Sequence, residues 1–115
     1  MHRVLAYIDQ HLDQSLSLAV LADVANFSSY HFHRLFSAMM GQTLGEYLRR
    51  RRVEIAATRL IAQPRTQVLS IALSVGFASG EAFSRDFRSQ FGCSPSVWRK
   101  QQRQDRHDKS NVGQI

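Results

Sequence analysis

Residues 27–36 read FSSYHFHRLF and gather two histidines, an arginine, a tyrosine and three phenylalanines into ten positions. Three chemistries use such residue types: metal ligation, acid–base catalysis by a histidine pair, and recognition of a polyanion by a polar helix face. Metal ligation by a helix needs ligands at i and i+4, on one side of the rod. His31 and His33 are two positions apart, so on a helix they diverge instead of converging on one ion. The one cysteine, Cys93, excludes an internal disulfide and a thiolate zinc site built from this chain alone. Neither histidine has a carboxylate three or four positions on to orient its ring, and the spacing places no nucleophile beside them. No catalytic residue, metal or cofactor is expected here, and the chain is not expected to be an enzyme. What remains is a cationic, aromatic strip on one side of a helix.

Composition points the same way. The 115 residues suit one ordinary domain, able to bury about two-thirds of its unfolded surface. A hydrophobic content of 43% with 21% charged residues is that of a globular chain. The net charge of +6 and pI near 10.4 imply a polyanionic partner, either nucleic acid or an anionic membrane surface. No apolar run approaches the roughly 18 residues of a membrane span, and the N-terminus lacks a signal-peptide pattern. With a single cysteine, the expected setting is the reducing cytoplasm, with no membrane as partner.

The strip needs elements to hold it, and the periodicity is helical almost throughout. Val4, Leu5, Ile8 and Leu12 share a face, predicting a first helix from about Arg3 to Leu12. Ser17 can cap a second, Leu18 to Ala25, after which Asn26 tolerates a left-handed turn. Ser28 caps a third, ended near Met40 by Gly41. Thr43 opens a fourth that reaches Ala62 before Gln63-Pro64, and a fifth spans about Val68 to Val75. Gly76 makes a turn, Ser79 caps a sixth helix ending near Phe91-Gly92, and Ser94-Pro95 opens a seventh. From about Gln101 the chain is polar without periodicity, and residues 104–115 are expected to be a polar tail or linker.

The chain also repeats itself. Leu21-Ala22 and Asn26-Phe27 recur fifty positions on as Ile71-Ala72 and Gly76-Phe77. Phe32, Arg34, Phe36, Gly41 and Tyr47 recur fifty-one positions on as Phe83, Arg85, Phe87, Gly92 and Trp98, so one residue was added in the second turn. A short helix, a tight turn and a longer helix, occurring twice, is a duplicated helix-turn-helix. The expected fold is all-α: seven helices forming two helix-turn-helix subdomains (about 1–42 and 66–103) joined by a long connecting helix, about 43–62.

At 100° per residue, Phe32, Leu35, Phe36 and Met39 fall on one face of the third helix, with Tyr30, His33, Arg34 and Ser37 opposite. On the sixth, Phe83 and Phe87 point inward with Phe91 at the edge, while Glu81, Ser84, Arg85 and Arg88 point out. A helix fits the DNA major groove, where arginine bonds bidentately to guanine and tyrosine or serine reaches base edges or phosphates. One such strip would be only a solvated face. Two at the same place in two repeats favour DNA reading.

The connecting helix changes sides midway. Leu44, Tyr47 and Leu48 form one stripe and Val53, Ala56, Ala57 and Leu60 a nearly opposite one, with Ile55 left near the first. Such a helix would pack against two subdomains and space the two reading helices about one DNA turn apart (roughly 34 Å). In its middle, Arg49 to Arg52 cover a whole turn, so they cannot all face DNA; Arg51 falls on the apolar side and is expected half-buried beside a carboxylate. The expected phosphate contacts are Arg49, Arg50, Arg52, Arg65, Arg88, Arg99 and Lys100, with Ser37 and the helix starts at Ser28, Thr43, Ser79 and Ser94.

These residues carry a family resemblance. ALSVGFASGEAFSRDFRSQFGCSPSVWRK (72–100) strongly resembles the signature of the AraC/XylS transcription regulators, and LADVANFSSYHFHRLFSAMMGQTLGEYLRRRRVEIAATRL (21–60) matches its other half. The likeness covers about residues 3–103 and defines an expected DNA-binding domain at 1–103. It implies recognition helices in successive major-groove segments of one site, and transcription control, often activation, through contact with RNA polymerase. Carried over by position, its base-facing sites fall on Ser29, Tyr30, His33 and Arg34, and on Gly80, Glu81, Ser84 and Arg85. Gly80 offers only backbone, and Glu81 either accepts from cytosine or simply suits the positive end of its helix. YHFHRLF (30–36) and the closing SNVGQI are similar to members whose GyrI-like effector domain follows the DNA-binding part; an effector ligand is expected only where such a further domain exists.

Two other functions compete. A helical protein-interaction module could dock on RNA polymerase or an anionic surface without reading bases. An enzyme built on Cys93 would use a thiol near a helix start, but a small half-buried residue is the ordinary explanation of that position.

Overall fold

The computed structural model describes residues 1–14 and 16–113, with side chains through residue 105. Seven helices and no strand occur among the described residues: α1 (His2–Gln10), α2 (Leu18–Ala25), α3 (Ser29–Met40), α4 (Leu44–Ala62), α5 (Val68–Ser74), α6 (Gly80–Phe91) and α7 (Pro95–Gly113). The chain divides into two compact units, Met1–Arg52 and Val53–Ile115, with the boundary inside α4. The first half of α4 thus closes one unit and its second half opens the other. The switch of apolar stripe accounts for this. Leu44, Tyr47 and Leu48 are buried, as are Val53, Ala56, Ala57 and Leu60. Ile55 follows the switch after all, packing against the core of the second unit.

The serine starts are literal caps. The hydroxyls of Ser17, Ser28 and Ser79 accept from the backbone N–H groups of Val20, His31 and Ala82, each satisfying a donor the first helical turn leaves unpaired. The stops are equally local. Asn26 and Gly76 take positive φ (61° and 103°) to make the two turns, and Gly41 and Gly92 (68° and 81°) end α3 and α6. The turns repeat bond for bond: Phe27 donates to the Ala22 carbonyl at 2.9 Å and Phe77 to the Ala72 carbonyl at 3.1 Å. The added residue is Ala78, between Phe77 and the Ser79 cap.

The aromatic packing is duplicated too. Phe32 and Phe36 are fully buried with ring centres 5.8 Å apart, and Phe36 meets Tyr47 edge-on at 5.5 Å. In the second unit, Phe83 and Phe87 are fully buried 5.6 Å apart, and Phe87 meets Trp98 edge-on at 5.6 Å. Phe91 sits at the edge, stacked on Phe87 at 4.5 Å.

Several boundaries differ from expectation. The first helix ends at Gln10, not Leu12. The His11 ring stacks on Tyr7 with centres 4.0 Å apart, and its Nδ1–H donates to the Tyr7 carbonyl at 2.8 Å, satisfying an acceptor of the last turn. Leu35 and Met39 are exposed (36% and 59%). Leu35 lies about 80° from the centre of the buried face, and Met39 lies one residue short of the helix end. Phe27 is 47% exposed where its counterpart Phe77 is 8%. The expected tail is helical to Gly113, its residues 114 and 115 lying outside the described ones. Gln, Arg, Asp and Lys are adequate helix formers and extend α7 without any apolar stripe.

Truncating either anchoring ring, Phe36→Ala or Phe87→Ala, is expected to cost about 3–5 kcal/mol. Urea denaturation followed by circular dichroism measures the loss.

Candidate nucleic-acid interface

Each reading strip is set by the buried phenylalanines behind it. Arg34 lies midway in sequence between Phe32 and Phe36, so at 100° per residue it sits diametrically opposite the buried pair. Arg85 stands in the same relation to Phe83 and Phe87. Ser29, Tyr30, His33 and Arg34 are all exposed on α3, Tyr30 at 66%. On α6, Glu81 and Arg85 are exposed and Gly80 and Ser84 half-buried. Glu81, Ser84, Arg85, Arg88 and Ser89 line an open recess on the outer side of α6. On α3 the four residues expected to face bases are all exposed; on α6 the recess takes in Glu81, Ser84 and Arg85, while Gly80 is half-buried beside Leu69.

The two strips differ in chemistry. The Arg34 Nη1–H donates to the Tyr30 hydroxyl at 3.2 Å, with the guanidinium carbon 5.7 Å from the tyrosine ring centre. In α6 the repeat puts Glu81 where α3 has Tyr30, and the Arg85 Nε lies 3.8 Å from Asp86. At Gly80 an added Cβ would stand 3.3 Å from Leu69 Cδ1, so the missing side chain leaves room for the half-exposed leucine of α5.

The basic residues sort into two groups. Arg49, Arg50, Arg65, Arg88 and Lys100 are exposed, Arg50 lying over the Tyr47 ring at 5.4 Å. Arg51 is half-buried and pairs with Asp9 at 3.2 Å, as its position on the apolar side implied. Arg52 and Arg99, expected on phosphates, are half-buried and donate to the protein's own backbone carbonyls. Arg52 donates to the carbonyls of Leu12 (3.0 Å) and Gln14 (3.1 Å) in the segment after α1. Arg99 donates to Leu60 (2.9 Å), Thr66 (2.8 Å) and Gln63 (3.0 Å), clasping the end of α4. Burial lowers the pKa of both guanidiniums, and at Arg99 the charge of Arg103 adds to that; both remain protonated at neutral pH. Leu60 belongs to the last turn of α4, and the other acceptors lie in the segments just after α1 and α4, whose carbonyls lack helical donors; a planar fork supplies several at once.

Two further expectations are corrected in the same way. The Ser37 hydroxyl oxygen is buried, so it does not present itself to a phosphate. The Thr43 hydroxyl accepts from the Glu46 backbone N–H at 3.2 Å and donates to the Glu46 carboxylate at 3.0 Å, so an acidic side chain already occupies it at the start of α4. Ser28, Ser79 and Ser94 are helix caps, the last accepting from Val97 at 3.3 Å. Arg103, absent from the sequence reading, donates to the Pro64 carbonyl at 2.8 Å. The repeat was the available signal: Arg103 answers Arg52 at the fifty-one offset and Pro64 answers Gln14 at fifty. Cys93 is free and half-buried. Among the described residues, no cluster of three or more metal-ligating side chains occurs and no helix is long and apolar enough to cross a membrane.

Two capped helix-turn-helix units, each with a basic strip opposite its aromatic core, define a double helix-turn-helix DNA-binding domain. Residues 21–101 match a family described as a helix-turn-helix domain. The chain is 40% identical over 96 residues to the regulatory protein SoxS of Escherichia coli K12, covering 84% of this chain and 89% of that one. It is 38% identical over 99 residues to the right origin-binding protein of the same strain, again over 84% of this chain but only 33% of that longer protein. Among solved structures it resembles the DNA-binding domain of AdpA in complex with a target DNA, with a TM-score of 0.81, 31% identity, and coverage of 91% of this chain and 94% of that one. An AraC-type transcriptional regulator from Chromobacterium violaceum follows at a TM-score of 0.79 and 26% identity, covering 87% and 88%. The chain belongs to the AraC/XylS family of DNA-binding transcription regulators.

Arg99→Ala is expected to lower stability by about 1.5–3 kcal/mol, because it orphans carbonyls that a charged donor now serves. Arg99→Lys should recover only part of that, since an ammonium lacks the planar fork. Urea midpoints of the three proteins, compared at fixed salt, check both expectations.

Proposed function

We propose that the chain reads a specific double-stranded DNA site by inserting α3 and α6 into successive major-groove segments, and through this binding controls transcription. The observation that carries the reading is the duplicated arrangement itself: two serine-capped twelve-residue helices, each with an exposed arginine opposite a fully buried phenylalanine pair. Ser29, Tyr30, His33 and Arg34 would face bases from α3, and Gly80, Glu81, Ser84 and Arg85 from α6. Arginine matched to the O6 and N7 acceptors of guanine supplies the strongest discrimination available to such a face. The exposed Arg49, Arg50, Arg65, Arg88 and Lys100 would neutralise phosphates, helped by the helix starts at Ser28, Ser79 and Ser94. The nineteen residues of α4, roughly 28 Å of helix, suit a spacer between segments about one DNA turn apart. RNA polymerase is the expected second partner, the cytoplasm the expected location, and the role is binding without catalysis.

Selection from a random duplex library at stated salt should enrich one motif. On that site Arg34→Ala and Arg85→Ala should each cost about 1–3 kcal/mol and relax preference at separate positions. Arg50→Ala should weaken all sequences alike and reduce the salt slope by about one. A library that enriches nothing, or three variants with equal losses on selected and random DNA, would count against base reading.

A further inference from the structure

Tyr30 faces outward beside Arg34, and its obvious role is to touch DNA. The geometry points to a different one. We propose that Tyr30 is a positioning residue: it holds the Arg34 guanidinium in a reading posture, so that the base preference of α3 depends on Tyr30 acting through Arg34. The inference rests on α3 reading bases, as proposed above, and assigns within that reading which side chain contacts the base and which one aims it.

Three observations carry it. The contact is double: the Tyr30 hydroxyl accepts from Arg34 Nη1 at 3.2 Å, and the guanidinium carbon stands 5.7 Å from the ring centre, within cation–π range. The two residues are four apart on α3, where helical neighbours meet, and both point away from the core that Phe32 and Phe36 occupy. The molecule also contains its own comparison. α6 carries the equivalent arginine, Arg85, at the equivalent angle, but Glu81 stands at the tyrosine position and the arginine's Nε lies 3.8 Å from Asp86 with its side chain 77% exposed.

The physical consequence follows from what an unrestrained arginine loses on binding. A long side chain with several rotors must be ordered before its fork can match two acceptors on a guanine, and that ordering subtracts from discrimination. A side chain already aligned along a rigid aromatic ring loses less. The hydroxyl engages Nη1, which leaves the Nε–H and Nη2–H donors to match the two acceptors of a guanine.

Tyr30→Phe tests this with the full chain, since it keeps the ring and removes the acceptor; Tyr30→Ala removes the ring as well. Tyr30 is exposed, and helical content by circular dichroism checks that both variants fold. The readout is the ratio of affinities for the library-selected duplex and for the same duplex with the Arg34-dependent guanine replaced. Tyr30→Phe, which loses one hydrogen bond, is expected to reduce that ratio by about two- to fivefold, and Tyr30→Ala, which loses the ring contact too, by more. Neither should reduce it further in an Arg34→Ala background. A reduction of equal size with and without Arg34 would show that Tyr30 contacts DNA in its own right and would overturn the proposal. So would an unchanged ratio in both tyrosine variants while Arg34→Ala abolishes the preference, with base reading by α3 left standing. If Arg34→Ala itself leaves every base preference intact, it is the reading by α3 that fails, and the positioning role falls with it.

Discussion

Four phenylalanines decide which way the outer faces of α3 and α6 point. Phe32 and Phe36, and their counterparts Phe83 and Phe87, are fully buried, and each pair fixes the rotation of its helix about its own axis. A helix that could roll would present a different set of side chains every 100°. Burying two rings four residues apart contributes several kcal/mol against such rolling. The residue midway between them is then held opposite the core, and in both units that residue is an arginine. Tyr47 and Trp98, packed edge-on against the second ring of each pair, tie the reading helix to the helix that follows it.

A second constraint is the accounting of carbonyls where helices end. Arg52 serves Leu12 and Gln14; Arg99 serves Leu60, Gln63 and Thr66; Arg103 serves Pro64. Arg52 with Gln14 and Arg103 with Pro64 occupy equivalent places in the repeat. The same residue type therefore does two unlike jobs in one small basic chain. Some arginines add positive potential to the surface, while the half-buried Arg52 and Arg99 and the exposed Arg103 fasten segments that lack helical partners for their backbone oxygens. The net charge of +6 overstates what is free to meet a polyanion, because part of it is already committed to the protein's own carbonyl groups.

Fold and faces were legible because they follow from spacing. Serine caps, positive-φ turns at Asn26 and Gly76, the paired phenylalanines and the stripe switch in α4 are all local patterns with one physical solution. What escaped the sequence were partnerships between distant positions. Nothing near Arg99 in the chain signals that residues 60–66 lie beneath it. Nothing near Ser37 announces that its hydroxyl is covered, and helical angle alone placed it on the outer side. Leu35 and Met39 show the reverse error: angle put them inward, but a stripe is buried only where another element covers it. Thr43 was rightly placed at a helix start, yet Glu46 three residues on already occupies its hydroxyl, a capping-box spacing that was available to reading.

Duplication gave the two units one scaffold and left them free to diverge on the outside. Core positions answer each other almost residue for residue: Leu21-Ala22 and Ile71-Ala72, Phe36 and Phe87, and buried Tyr47 with half-buried Trp98. The outer positions do not: Ser29, Tyr30 and His33 face Gly80, Glu81 and Ser84 across the repeat. Core residues are constrained by volume, since an interior packed to crystal density tolerates few shapes. Outer residues are constrained only by what they must recognise. The two strips differ accordingly: α3 offers donors and an aromatic ring, α6 a carboxylate, a bare backbone and an arginine near Asp86. One scaffold thus carries two chemically unlike outer faces.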